Sequence, residues 1–198
     1  MRTKPATTRW TATVDEEAWV LRAQRGEPPA LSYLFEQYFE RVFRYASARL
    51  RDPSEAEDLT QEVFERMLQS IQRYQPRGLP FASWLFRIAH NLVVDRARRL
   101  GSAERATQRV SLVEFQDSPE GEILARLEIA ELRLLMQRLS EAQRQVLELR
   151  FAAQLNVAET AQVMNRSVDA VKSLQYAGLR AMRELVVVNE RKNGVAPR

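Results

Sequence analysis

The chain has 198 residues, of which 45% are hydrophobic and 28% charged, with a formal net charge of +4 at pH 7 and an isoelectric point near 9.7. That much apolar material supports packed cores and excludes a wholly disordered chain. No cysteine and a single histidine, His90, exclude disulfides, thiolate zinc sites, thiol switches and His-rich metal sites, and no cofactor is expected.

Leu, Ala, Arg, Glu and Gln dominate while β-branched runs are scarce, so the expected fold class is all-α. The high isoelectric point with a small net charge points to a local basic surface. Nucleic acid is one candidate partner, and an Arg-rich protein surface fits the same numbers. No apolar run reaches the roughly 18 residues that span a bilayer, and Met1–Thr13 lacks a secretory apolar stretch. The expectation is a cytoplasmic protein without membrane insertion.

Residues 1–14 lack periodicity and read as a tail. A short helix is expected from Asp15 to Arg25, ending at Gly26 and Pro28–Pro29. From Ala30 to Arg51, Leu31, Leu34, Phe35, Tyr38, Phe39, Val42, Phe43, Ala46 and Leu50 recur at three- and four-residue steps, the signature of one apolar helix face. Asp52-Pro53 reads as an N-cap followed by proline at the first helical position. Leu59, Val63, Phe64, Met67, Leu68 and Ile71 form the apolar face of that helix. Arg73 to Leu79 should be a loop, and Pro80 opens a long helix running to about Leu100-Gly101.

Periodicity fails from Ala106 to Gly121, which reads as a linker between two small helical domains. Residues 15–105 form the first domain and 122–190 the second, with 191–198 a tail. In the second, Ile123, Leu124, Leu127, Ile129, Leu132, Leu135 and Met136 mark one helix. Ser140 caps the next, which carries Val146, Leu147 and Phe151. Asn156 caps a short helix to Met164, and Ser167 a final one reaching about Val187.

Three segments carry functional signals. Val157 to Met164, Asn165-Arg166-Ser167 and Val168 to Arg183 have helix-turn-helix spacing, with small Ala161 at the crossing and Asn165 tolerating a left-handed turn. An ordinary helical hairpin has the same spacing. Residues 80–110 hold six arginines against Asp95 and Glu104. Arg87, Asn91, Asp95 and Arg98 share one polar face there, where arginines can grip phosphates and Asn or Asp can read base edges. A solvated helix face is the alternative. Asp52 to Glu65 contains six acidic residues and no basic one, a surface that repels phosphate and suits a basic protein. Favourable carboxylate placement at a helix start accounts for Glu55 and Glu57, and less well for Asp58, Glu62 and Glu65.

Asp58 to Phe64 (DLTQEVF) resembles the polymerase-binding motif in region 2 of extracytoplasmic-function sigma factors. Pro80 to Arg99 (PFASWLFRIAHNLVVDRARR) is similar to the segment with which that family melts and reads the −10 element. Leu139 to Phe151 (LSEAQRQVLELRF) and Ala170 to Ser173 resemble region 4, in the same order and spacing. The resemblance implies a sigma factor, not an enzyme, that binds core RNA polymerase through its beta-prime clamp and beta flap and directs initiation at promoter DNA. An anti-sigma partner is implied in the same way.

Residue by residue, it implies polymerase contacts at Asp58, Leu59, Gln61, Glu62 and Phe64. The −10 contacts would fall at Tyr74, Arg77, Arg87, His90, Asn91, Asp95, Arg98 and Arg99. Those to the −35 element would fall at Ser167, Asp169, Ala170, Lys172, Ser173, Tyr176 and Arg180. Trp84 lies in the apolar stripe and reads as core. Tyr74, in the loop, is expected to be exposed and to stack on a flipped base. After Lys172-Ser173 no basic residue follows before Arg180, and Gly178 costs the helix roughly 1 kcal/mol relative to Ala.

Enzymatic function is disfavoured by the absence of a Gly-rich phosphate loop and of any nucleophile–histidine motif. A stand-alone helix-turn-helix regulator of duplex DNA would explain residues 157–183 but not DLTQEVF or the Arg-rich helix. A helical adaptor would explain the acidic face alone.

Overall fold

The computed structural model describes residues 14–50, 52–75, 79–103 and 131–192, and among them it is all helix and connecting turns. Helices α1 (Val14–Gln24), α2 (Pro28–Arg49), α3 (Pro53–Ser70) and α4 (Phe81–Ala103) form the first bundle, with a 3-10 turn at Ile71–Arg73. The second set comprises α5 (residues 131–136), α6 (Glu141–Leu147), α7 (Val157–Met164) and α8 (Val168–Lys192). A wide π-type turn, Glu148–Ala152, continues α6.

Local chemistry sets the helix starts. Asp52 accepts from the Ser54 amide at 2.9 Å, and Pro53 opens α3 where its missing N–H costs nothing. Ser140 with Gln143 and Asn156 with Glu159 form reciprocal capping boxes that satisfy orphan backbone donors. Asn165 takes the left-handed conformation at φ 51° that closes α7. Pro28 and Pro29 lie inside the first turn of α2, which therefore starts two residues before the expected Ala30; it ends at Arg49 because Leu50 is extended. Val14 belongs to α1 rather than to a tail, and α8 runs to Lys192, five residues past the expected Val187. The linker at 106–121, the helix start at 122–130 and most of both expected tails lie outside the described residues.

In the first bundle α2 buries Leu34, Tyr38, Val42 and Tyr45, α3 buries Leu59, Val63 and Met67, and α4 buries Leu85, Phe86 and Val93. Each such side chain contributes roughly 1.5–3 kcal/mol on leaving water. A smaller core joins Leu139, Val146, Leu147, Ala161 and Val171, with Leu174, Met182 and Leu185 packed against it. Gly178 sits where α8 crosses α6: a Cβ there would lie 3.3 Å from Leu147 Cγ and Cδ1.

The two helical sets are not separate bodies. Leu149, Ala153, Leu155 and Val163 belong to the apolar core of the first bundle. Phe151, carried with Val146 and Leu147 on the helix that Ser140 caps, is 57% exposed. The wide turn shifts the helical phase, so Leu149 and Ala153 point into the core and Phe151 points away. Leu132, placed on an apolar face by periodicity, is exposed as well.

Candidate polymerase and nucleic-acid interfaces

On α3 the polar edge of DLTQEVF faces outward. Asp58 is exposed with Arg96 at 3.8 Å, Glu62 accepts from Arg66 at 2.8 Å, and Gln61 donates to Glu65 at 2.9 Å. Leu59 is completely buried and is a core residue rather than a docking residue, correcting its placement on the polymerase-facing surface. Phe64 is largely buried too, its ring 4.7 Å from Phe35 and 6.2 Å from Phe39. It forms the floor of a groove whose walls include Leu31, Phe35, Met67 and Leu68. Phe35, Phe39 and Leu68 remain exposed, an apolar patch that the periodicity of α2 and α3 assigns to the interior. The sequence signal is an apolar stripe on α2 wider than one neighbouring helix can cover.

Tyr74 overturns its expected exposure. It is 7% exposed, its hydroxyl donates to Leu79 O at 2.6 Å, and its ring packs against Phe81 and Trp84. Burial pushes its phenol up to about 12. In this arrangement it ties itself to Leu79 instead of offering a free stacking face. Trp84 is half-buried against the core, as expected. Arg77 lies outside the described residues, and Arg99 lies on α4 with its side chain outside them.

Along α4, Arg87, Asn91, Asp95 and Arg98 are all exposed on one polar face. The first turn of that face already meets the second helical set: Arg87 Nη2 donates to Gln162 O at 2.7 Å. His90, grouped by sequence with the −10 contacts, turns away from this face. Its Nδ1 is 3.1 Å from Tyr45 Oη and its Nε2 is 3.2 Å from Gln145 Nε2. Burial, reinforced by Arg49, holds its pKa below the usual value. His90 thus joins helical sets instead of presenting a charge to DNA. Arg96, not singled out by sequence, ties α4 to α3 by donating to Glu55 O at 3.1 Å.

On α8 the candidate −35 residues occupy the outward face. Asp169 and Lys172 pair at 3.5 Å, Ser173 is exposed, Tyr176 is 73% exposed, and Arg180 pairs with Glu184 at 3.0 Å. Ser167 Oγ accepts from the Ala170 amide at 3.2 Å, so its hydroxyl caps the helix, and Ala170 is half-buried. Val171, Leu174 and Gly178 face inward. An exposed polar face backed by an apolar one, after an αL turn, is the layout of a recognition helix.

Sequence reasoning also missed Arg41. It is 7% exposed, donates from Nε to Ala153 O at 3.0 Å, and lies over the rings of Tyr38 and Phe86 at 5.0 and 5.5 Å. Its signal is an arginine at inward-facing steps from Tyr38 and Tyr45. About two turns further along α2, Arg49 pairs with Glu148 at 3.0 Å and Glu141 at 2.7 Å.

This layout, an acidic-apolar helix and an Arg-rich helix followed by a helix-turn-helix, coincides with two family matches. Residues 34–103 match the family model of Sigma-70 region 2 and residues 135–184 that of Sigma-70 region 4. The chain belongs to the extracytoplasmic-function (ECF) RNA polymerase sigma factors. It is 34% identical over 178 residues to the ECF RNA polymerase sigma factor ShbA of Streptomyces griseus, covering 85% of this chain and 93% of that protein. To BldN of Streptomyces coelicolor it is 38% identical over 169 residues, covering 84% of this chain and 64% of BldN. The chain thus spans just under two thirds of BldN. The solved structure of CnrH in complex with the cytosolic domain of CnrY shares the fold, with a TM-score of 0.69 at 21% identity over 87% of this chain and 97% of that one.

Proposed function

We propose that this chain binds core RNA polymerase and directs it to a particular set of promoters, catalysing no reaction itself and acting in the cytoplasm. The observation that carries this reading is the ordered pair of region 2 and region 4 matches at 34–103 and 135–184. Their candidate contact faces, on α3, α4 and α8, are largely open to partners. No described helix is long and apolar enough to cross a membrane.

Asp58, Gln61 and Glu62, with the neighbouring groove over Phe64, present negative charge beside apolar surface. That combination suits a basic helical partner on the polymerase clamp. Region 4 would meet the beta flap. The exposed polar face of α4 is given the −10 element, with Arg98 on phosphate and Asn91 and Asp95 on base edges. The outward face of α8 is given the −35 duplex through Asp169, Lys172, Ser173, Tyr176 and Arg180. Captured single-strand bases would hold the strands apart without ATP. By resemblance, an anti-sigma factor would hold the chain inactive.

Co-elution with core polymerase tests the docking step. Asp58→Lys or Glu62→Lys should weaken polymerase binding several-fold in a competition assay. The fold should be retained, because the ion pairs removed are solvent-exposed and worth about 1 kcal/mol or less. Unchanged affinity in both variants would remove α3 from the docking surface.

A further inference from the structure

The wide turn Glu148–Ala152 also delivers an arginine to α8. Arg150 Nε donates to Gln175 Oε1 at 2.9 Å, and its Nη1 donates to Leu155 O, so oxygens from two separate elements hold one guanidinium. Both acceptors are neutral, and among the described residues no carboxylate pairs with Arg150; Glu159, at the start of α7, accepts from the Asn156 amide at 2.7 Å instead. Arg150 is only half-buried, and its Nη2 has no partner among the described residues and is not sealed from solvent. Gln175 is half-buried on the border between the inward face of Val171, Leu174 and Gly178 and the outward face of Lys172 and Tyr176. Arg150 therefore stands at the flank of the outward face.

Helix α8 itself is short of free charge. From Val168 to Leu179, the part of a recognition helix that leads into the groove, the one cation is Lys172, and it lies 3.5 Å from Asp169. The next, Arg180, pairs with Glu184 at 3.0 Å. Cations that each stand beside a carboxylate neutralise phosphate weakly, and phosphate neutralisation supplies much of the affinity for duplex. Arg150 brings a permanent charge that its two carbonyl-type acceptors leave uncancelled. Resting on the −35 role proposed above for α8, we infer that Arg150 is a phosphate contact lent to this helix by the preceding turn, and that Gln175 is its positioning residue. Gln175 does not read a base. Its amide oxygen is committed to Arg150, so it lacks the donor–acceptor pair with which glutamine recognises adenine. It fixes the guanidinium in one orientation before DNA arrives, which lowers the ordering cost of the contact.

Salt dependence tests this in the complex of core polymerase with the full chain, on a promoter duplex taken from a start site that the native complex selects. Arg150→Ala should lower duplex affinity roughly tenfold and flatten the slope of log affinity against log salt by about one. The ranking of −35 sequences should not change, because phosphate contacts carry no sequence information. Gln175→Leu frees Arg150 without removing its charge; it should lower affinity roughly threefold and add nothing to Arg150→Ala. Gln175→Glu separates positioning of a charge from bracing of a helix. Its carboxylate keeps the tie to Arg150 but cancels the charge, so affinity and salt slope should both fall as in Arg150→Ala, whereas a structural brace would leave both at native values. If Arg150→Ala loses helical circular dichroism, Arg150→Lys serves instead: the slope should stay native while affinity falls, since lysine cannot make both bonds. A native slope in Arg150→Ala or Gln175→Glu, or additive losses from Arg150→Ala and Gln175→Leu, overturns the inference. A native chain that selects no start site would instead reject the proposed function.

Discussion

Arg49 on α2 and Glu148 at the end of α6 form a 3.0 Å ion pair in which the side chains keep only 8% and 3% of their exposure. Ninety-nine residues apart in sequence, they meet because α2 and the wide turn after α6 share one core. Burial pushes Glu148 up to about 7, against the pull of Arg49, while Arg49 stays protonated far above any working pH. The pair therefore specifies how the helical sets meet more than it stabilises the fold. Removing one partner leaves an uncompensated buried group, so Arg49→Met should cost about 3–5 kcal/mol of stability in denaturant titration. The double replacement Arg49→Met with Glu148→Leu should recover most of that deficit. Additive destabilisation in the double variant would contradict this account.

His90 and Glu148 flank the same junction with opposite pH signs. The pKa of His90 is lowered, by burial first and Arg49 second, with Glu141 opposing. Its contribution is present above the ordinary value of 6.5 and declines as pH falls. The pKa of Glu148 is raised, so its contribution is full below 4.5 and declines as pH rises to about 7. In the native protein the two slopes partly offset each other. His90→Gln removes only the acid-side decline, so the melting temperature at about pH 5.5, relative to about pH 7.5, should rise compared with the native chain. An unchanged or lowered difference would show that His90 is not the opposing group.

Gly178 illustrates where propensity and packing disagree. Replacing it by Ala would ordinarily stabilise α8 by roughly 1 kcal/mol. The added methyl would press on Leu147, a buried residue, and crowding of that kind costs about 1–3 kcal/mol. Gly178→Ala should therefore give no gain in melting temperature, and Gly178→Leu a clear drop. A rise of several degrees with Ala would mean that α6 yields freely.

The helix starts were legible because caps are local: Asp52, Ser140, Asn156 and Ser167, together with the αL turn at Asn165, depend on neighbours within a few residues. The order of functional segments was legible for the same reason. What covers an apolar face was not. Periodicity assigns Phe35, Phe39 and Leu68 to an interior, yet they stay exposed, and it leaves Tyr74 in the open when Phe81 and Trp84 cover it. Nor does it foresee that Arg41 reaches carbonyls 112 and 113 residues away, or that a wide turn rotates Phe151 outward.

Reading and positioning should separate along α4. Asn91 is exposed, and Asp95 stands one turn on. Asn91→Ala and Asp95→Ala should reorder preference among −10 sequences, by roughly 1–3 kcal/mol where a good base-edge hydrogen bond is removed. Arg98→Ala should weaken all promoters alike and reduce the salt slope by about one charge. Transcription from a −10 library with each variant is the measurement. An unchanged ranking with Asn91→Ala and Asp95→Ala would reassign both to positioning.

Run-off transcription tests the central claim most directly. Core RNA polymerase supplemented with the purified full chain should initiate at discrete start sites on genomic templates, with −10 and −35 sequences common to those sites, and core polymerase alone should not. Identical products with and without the chain, despite a folded protein, would contradict its assignment as a promoter-directing subunit.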